Sequence, residues 1–283
     1  MGFKTLLVHL RLGAPNDGVL RIAGDLAERF GAHVIGVAVS QPMAPLYAAV
    51  QMAYGTGMVS EDITETDRKL TEKRIAETEE RFRAALAGRC SDLEWRWTIT
   101  PNSRSQYVAR QVRTADLLIT CPVWNGSSLD QSQKVSLGDM VMLAGRPVLL
   151  VPPETPQLDL GSVVVGWKDT REARRAVSDA LPLLKLAGRV TVVSLTAAAE
   201  VATVTRRVGD VIAWLGRHGI AAEARVEASS GAEQVRLKAV AQECGAGLFV
   251  GGAYGHTRMR EWVTGGVTMD LLMHPNCPTL ISH

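Results

Sequence analysis

Short, unbroken apolar runs alternate along this chain with longer stretches whose apolar positions recur every three or four residues. Lys4 to Leu10 is such a run, closed by the turn-forming Gly13-Ala14-Pro15-Asn16. From Asp17 to Phe30 the apolar positions Val19, Leu20, Ile22, Ala23, Leu26, Ala27 and Phe30 follow helical spacing, and Gly31 marks the stop. His33 to Val39 is apolar throughout. The chain therefore opens strand, helix, strand, with both strands covered on both faces, as in a parallel sheet. Residues 40–59, rich in Pro, Met, Ala and Gly, read as a loop. Ser60 can cap a long helix from Glu61 to about Ala87, whose apolar stripe (Ile63, Leu70, Ile75, Phe82, Leu86) is thin and whose other face reads as solvated charge. Leu93 to Thr100 alternates apolar and polar residues, which predicts an edge strand. A helix near Ser103 to Arg113, a strand Asp116 to Cys121, a helix near Val135 to Leu143 and a strand Pro147 to Val151 complete the half.

Pro152-Pro153-Glu154-Thr155-Pro156 reads as a stiff linker, after which the pattern starts again. Strands are predicted at Ser162–Trp167, Arg189–Leu195, Ala222–Val226, Gly247–Gly251 and Pro278–Ile281. Helices are predicted at Arg171–Leu186, Glu200–His218 and Ala232–Glu243, with a fourth after Gly266. The repeat is visible locally: Ala115-Asp116-Leu117-Leu118-Ile119 parallels Ala246-Gly247-Leu248-Phe249-Val250, and Arg146-Pro147-Val148 parallels Cys277-Pro278-Thr279. A tandem duplication of one α/β unit accounts for this, with domains over 1–152 and 160–283. Each half is expected to carry its own Rossmann-like sheet, parallel except at most for its last strand, with helices on both faces. One sheet running continuously through both halves would contradict that reading.

Composition narrows the function classes. The 31 Lys+Arg and 29 Asp+Glu leave a net charge of +2, which provides no electrostatic case for a nucleic-acid or membrane-surface partner. Aromatics are only 5% of the 283 residues, too few for a base-stacking platform. The scattered Cys90, Cys121, Cys244 and Cys277 form no metal or redox motif and read as small buried hydrophobes in a reducing compartment. The first residues lack the features of a secretory leader, and no apolar run is of membrane-spanning length, so a cytoplasmic protein is expected.

The chemistry concentrates in Gly251-Gly252-Ala253-Tyr254-Gly255-His256, which leaves a strand and returns through Gly265-Gly266-Val267-Thr268 into a predicted helix. The spacing is G-x2-G-x9-G-G-x-T. Glycines allow positive φ and close ligand approach. Free N–H groups at Gly266, Val267 and Thr268, backed by a helix dipole and joined by the Thr268 hydroxyl, suit a phosphate. In an open parallel sheet such loops lie at the carboxyl ends of strands, where ligands bind. The same pattern also fits an ordinary turn.

This double repeat, the Gly252–Gly255–Gly265 spacing, the stretch Val163 to Ala173 and the prolines Pro147 and Pro278 resemble the universal stress protein family in its tandem form, over nearly the whole chain. The resemblance implies a five-stranded sheet in order 3-2-1-4-5 in each half. It implies association through the last strand, here open to the two halves as a pseudo-dimer or to a homo-oligomer. It also implies ATP or AMP at the glycine motif in some members, Mg²⁺ accompanying ATP. Gly252, Gly255, Gly265, Gly266, Val267 and Thr268 would then hold phosphates, and Gly166, Trp167 and Lys168 would line the adenosine side. The chain departs from the pattern at two points: Lys168 stands where nucleotide-binding members carry Asp, and Gly266 stands where Ser or Thr is usual. In the N-terminal half Thr120-Cys121-Pro122-Val123-Trp124 replaces the glycines, so any nucleotide is expected in the C-terminal half alone. Three functions stay open: a non-enzymatic, stress-associated nucleotide binder, a nucleotide-free interaction protein with an unknown protein partner, and a slow ATP hydrolase using His256.

Overall fold

The computed structural model describes residues 2–42, 61–90, 92–122, 135–229, 231, 233–253 and 277–283. In the N-terminal half β1 (Thr5–His9), α1 (Asp17–Phe30), β2 (His33–Ser40), α2 (Glu61–Leu86), β3 (Leu93–Ile99), α3 (Arg104–Gln111), β4 (Leu117–Thr120), α4 (Leu137–Ala144) and β5 (Val148–Leu150) follow in order. The C-terminal half supplies β6 (Ser162–Gly166), α5 (Arg171–Leu184), β7 (Arg189–Thr196), α6 (Val201–Arg217), β8 (Ala222–Ala228), α7 (Glu233–Glu243), β9 (Leu248–Gly252) and β10 (Thr279–Ser282). Helix ends carry the expected chemistry. The Ser103, Ser136 and Thr170 hydroxyls accept from the N–H groups of Gln106, Asp139 and Ala173, and Gly31 and Gly145 close α1 and α4 in the left-handed conformation.

The strands run β3-β2-β1-β4-β5-β10-β9-β6-β7-β8. Each half has order 3-2-1-4-5 and is parallel throughout. The expectation of two separate sheets does not hold. The last strands pair antiparallel, with Thr279 opposite Leu150, Leu280 opposite Leu149 and Ile281 opposite Val148, and weld the halves into one ten-stranded sheet. The reason is physical. β5 is apolar on both faces and β10 buries Leu280 and Ile281 on opposite faces, with Val148, Leu149, Leu150 and Leu280 fully buried, so an unpaired β5 or β10 would expose backbone donors beside bare hydrocarbon. One apolar cluster correspondingly takes in residues of α1 and α2 together with those of α5 and α6.

Smaller expectations shift as well. Of the α2 stripe, Ile75, Phe82 and Leu86 are buried, but Leu70 is 46% exposed. The opposite face is solvated charge: Arg68 bonds Glu65 at 2.9 Å and Glu72 at 2.7 Å. All four cysteines are free; Cys121 is buried, and the others only partly so. The helix expected after Gly266 lies outside the described residues.

Candidate functional site

The winding of the C-terminal half reverses at β6, which has β7 on one side and β9 on the other. Ligands of such sheets occupy the crevice beyond these carboxyl ends. Three consecutive residues leave β6 there, and strand alternation sends them to opposite faces. Gly166 faces α7: a Cβ at this position would lie 2.7 Å from the Phe249 ring and 3.4 Å from Leu237. Trp167 packs on the other side, against the core under α5 and α6, and its N–H donates to Val193 O at 2.7 Å. Lys168 turns back, its Nζ 3.7 Å from a Glu233 carboxylate oxygen on the first turn of α7. The chain then enters α5 through a turn in which the Thr170 N–H donates to Lys168 O at 2.6 Å, and Asp169 pairs with Arg174 at 2.6 Å.

Gly252 ends β9 on the opposite wall. A Cβ there would lie 2.5 Å from both Ala173 N and Glu172 C. Gly166 and Gly252, which the sequence assigns to ligand approach, therefore have packing roles of their own: one admits an aromatic ring and the other admits the amino end of α5. Gly255, Gly265, Gly266, Val267, Thr268 and His256 lie outside the described residues, as do Val123 and Trp124.

Sequence reasoning missed Glu172. It is 4% exposed and lies against the end of β9. Burial pushes its carboxyl up, but the Arg171 guanidinium, its own backbone N–H and the Thr170 hydroxyl outweigh that and hold it below the ordinary carboxylate range. Its signal was available in the helix period, since position 172 shares the buried face with Ala173, Ala176, Val177 and Ala180.

The N-terminal half has a matching reversal at β1, between β2 and β4. Its register pairs Leu6 with Leu117, as β6 pairs Val163 with Leu248. His9 thus takes the place of Gly166, Thr120 that of Gly251, and Cys121 that of Gly252. His9 is 5% exposed, with Nδ1 2.9 Å from Thr120 Oγ1. Burial, and secondarily the charge of Arg11, push its pKa down to about 4, so it is neutral at pH 7. The following loop is held by side chain to backbone bonds: the Arg11 N–H donates to Asn16 Oδ1 at 3.0 Å, and Asn16 Nδ2 donates to Arg11 O at 2.9 Å. His9 and Thr120 thus stand where, in the other half, the Phe249 ring lies against Gly166 and Gly251.

Among the described residues no group of three or more His, Cys, Asp or Glu side chains is arranged to hold a metal, and no helix is long and apolar enough to cross a membrane.

No family model matches the chain, and no curated protein matches it. Solved structures do. A universal stress protein from Archaeoglobus fulgidus DSM 4304 superposes with a TM-score of 0.70 at 14% identity, covering 98% of this chain and 97% of its own. A putative universal stress protein from Pseudomonas aeruginosa UCBPP-PA14 gives 0.58 at 16% identity, over 99% and 93%. A functionally unknown protein from Pseudomonas aeruginosa PAO1 gives 0.58 at 16%, over 99% and 92%. The resemblance drawn from the sequence is met at the level of fold: the chain is similar to tandem universal stress proteins over nearly its whole length.

Proposed function

We propose that the chain binds an adenine nucleotide, ATP or AMP, in the crevice beyond β6 and β9, and that it acts as a stress-associated binding protein without turning the nucleotide over. The observation that carries this reading is positional. The sequence G-x2-G-x9-G-G-x-T begins on Gly252, the last residue of β9, beside the strand where the winding reverses. That is where an open parallel sheet offers backbone donors to a phosphate. In this reading the backbone groups of Gly255, Gly265, Gly266 and Val267 and the hydroxyl of Thr268 hold phosphates. Gly252 keeps the floor low, and Gly166, Trp167 and Lys168 border the adenosine. The Lys168–Glu233 pair is exposed and weak, so Lys168 is free to turn to a phosphate. Mg²⁺ would arrive with ATP.

The N-terminal half supports one nucleotide per chain: it lacks the glycine motif, and Pro122 lacks the N–H that a phosphate needs. A second reading, an interaction protein without nucleotide, draws on the packing roles of Gly166 and Gly252, which explain both glycines without a ligand.

The test is calorimetric titration of ATP and AMP into the full chain, with extraction of any nucleotide that co-purifies. Gly265→Val or Gly255→Val should abolish binding, and Trp124→Ala should leave it nearly unchanged. Absence of binding by the wild type selects the second reading. Release of ADP that stops in His256→Ala would convert the binder into a slow hydrolase.

A further inference from the structure

A cleft of about 450 Å³ opens between α5 and α6, on the face of the sheet away from Lys168 and α7. Its apolar lining is Trp167, Val177, Val211 and Trp214, and its rim carries Asp169, Arg174, Arg207 and Asp210. Pockets of this size, with flat apolar walls and a few polar groups, are typical small-molecule sites. The corresponding helices of the N-terminal half are bridged at the carboxyl end of α1. Arg89, just beyond α2, bonds Asp25 at 2.5 Å and Glu28 at 2.8 Å on α1. No hydrogen bond or ion pair joins α5 to α6 among the described residues.

The rim charges are not equivalent. Arg174 is engaged by Asp169 at 2.6 Å. Arg207 and Asp210 make no ion pair or hydrogen bond among the described residues, although they stand three positions apart on α6 and face the same cleft. The cleft therefore offers two indoles, one uncommitted cation and one uncommitted anion. A guanidinium matches a carboxylate through two parallel hydrogen bonds, a carboxylate matches an ammonium, and an indole face matches a flat ring.

We infer that this cleft is a binding site for a small aromatic zwitterion, a molecule the size of an aromatic amino acid. Its ring would lie against Trp167 and Trp214, its carboxylate on Arg207 and its ammonium on Asp210. The cleft shares Trp167 with the nucleotide reading, but its other seven lining residues lie outside the residues assigned to the nucleotide.

The probe is 5-fluorotryptophan, observed by fluorine NMR on titration of the full chain, with unlabelled tryptophan, indole-3-propionate and tryptamine as competitors. Tryptophan should compete best, because each analogue leaves one rim charge unpaired. Arg207→Gln should weaken tryptophan and indole-3-propionate about tenfold, the value of one charge-assisted contact, and spare tryptamine. Asp210→Asn should do the reverse. Both residues are exposed on α6, so the fold survives either change, which circular dichroism checks. Absence of probe binding at millimolar concentration, or equal competition by all three compounds, overturns the proposal. So does displacement of the probe by ATP, which would make the cleft part of a nucleotide site.

Discussion

Replacing Gly252 by alanine tests whether this glycine serves the fold or only a ligand. The new Cβ would sit 2.5 Å from Ala173 N and Glu172 C, about 1 Å inside ordinary contact, and both atoms belong to backbone. Neither wall yields easily. Gly252 is locked in register opposite Ser282 of β10, and the first turn of α5 is anchored by the Thr170 cap. Moving α5 away would stretch the bond from the Ala173 N–H to Thr170 Oγ1, already 3.3 Å, and loss of such a cap costs about 1 kcal/mol. Overpacking adds about 1–3 kcal/mol. The lower chain entropy of unfolded alanine returns about 0.4–1 kcal/mol. The net expectation is about 1–3.5 kcal/mol of destabilisation in the absence of any ligand. With a denaturant slope of about 3 kcal/mol/M, the urea midpoint should fall by roughly 0.3–1.2 M, followed by far-UV circular dichroism without nucleotide. An unchanged midpoint with an unchanged slope refutes the packing role and returns Gly252 to the ligand.

Two further outcomes follow from the packing. His9 is held neutral with a pKa of about 4, so the unfolded chain, with an ordinary histidine near 6.5, takes up its proton first as pH falls. The stability this contributes is complete above about pH 6.5 and is lost as pH falls toward 4, to a total of about 3 kcal/mol. His9→Gln should flatten that part of the urea-midpoint profile between pH 7 and 5, and a slope identical to wild type would remove His9 as its source. Leu280, fully buried between Leu149 and Val250, should cost about 2–5 kcal/mol as Leu280→Ala. Hydrogen exchange should then quicken in both β5 and β9; protection lost on one side only would argue against the join acting as a shared core.

The periodic content of the sequence translated well. Strands apolar throughout became interior strands, alternating Leu93 to Ile99 became an edge, and the glycine after α1 took the left-handed conformation that only a Cβ-free residue adopts freely. What the sequence hid depends on partners remote in the chain. Nothing near Gly166 announces Phe249, and nothing near Gly252 announces the backbone of Glu172. A glycine at a strand end reads the same whether it faces a phosphate or a neighbouring helix. The role of His9 is hidden for a similar reason: its hydrogen-bond partner, Thr120, lies more than a hundred residues away. The join between the last strands was legible only through the family resemblance, which implied association there, because the short runs Leu149-Leu150 and Leu280-Ile281 are by themselves equally compatible with a covered edge and with a second copy.

That join also explains the charge pattern at the far ends of the sheet. Each half alone would have two edges, an apolar one at its fifth strand and a polar one at its third. Pairing β5 with β10 consumes both fifth-strand edges and, among the described residues, leaves β3 and β8 at the margins. These two carry the same device in opposite order. On β3, Arg96 bonds Glu94 two residues before it at 2.6 Å; on β8, Arg225 bonds Glu227 two residues after it at 2.7 Å. Residues two apart share a face, so each pair lays a charged bridge along the outer strand, and Arg236 of α7 bonds Glu227 at 2.7 Å to extend it. A further strand docking on either margin would have to strip water from these ions. The duplicated unit thus pairs its fifth strand within the chain and carries ion pairs along its third.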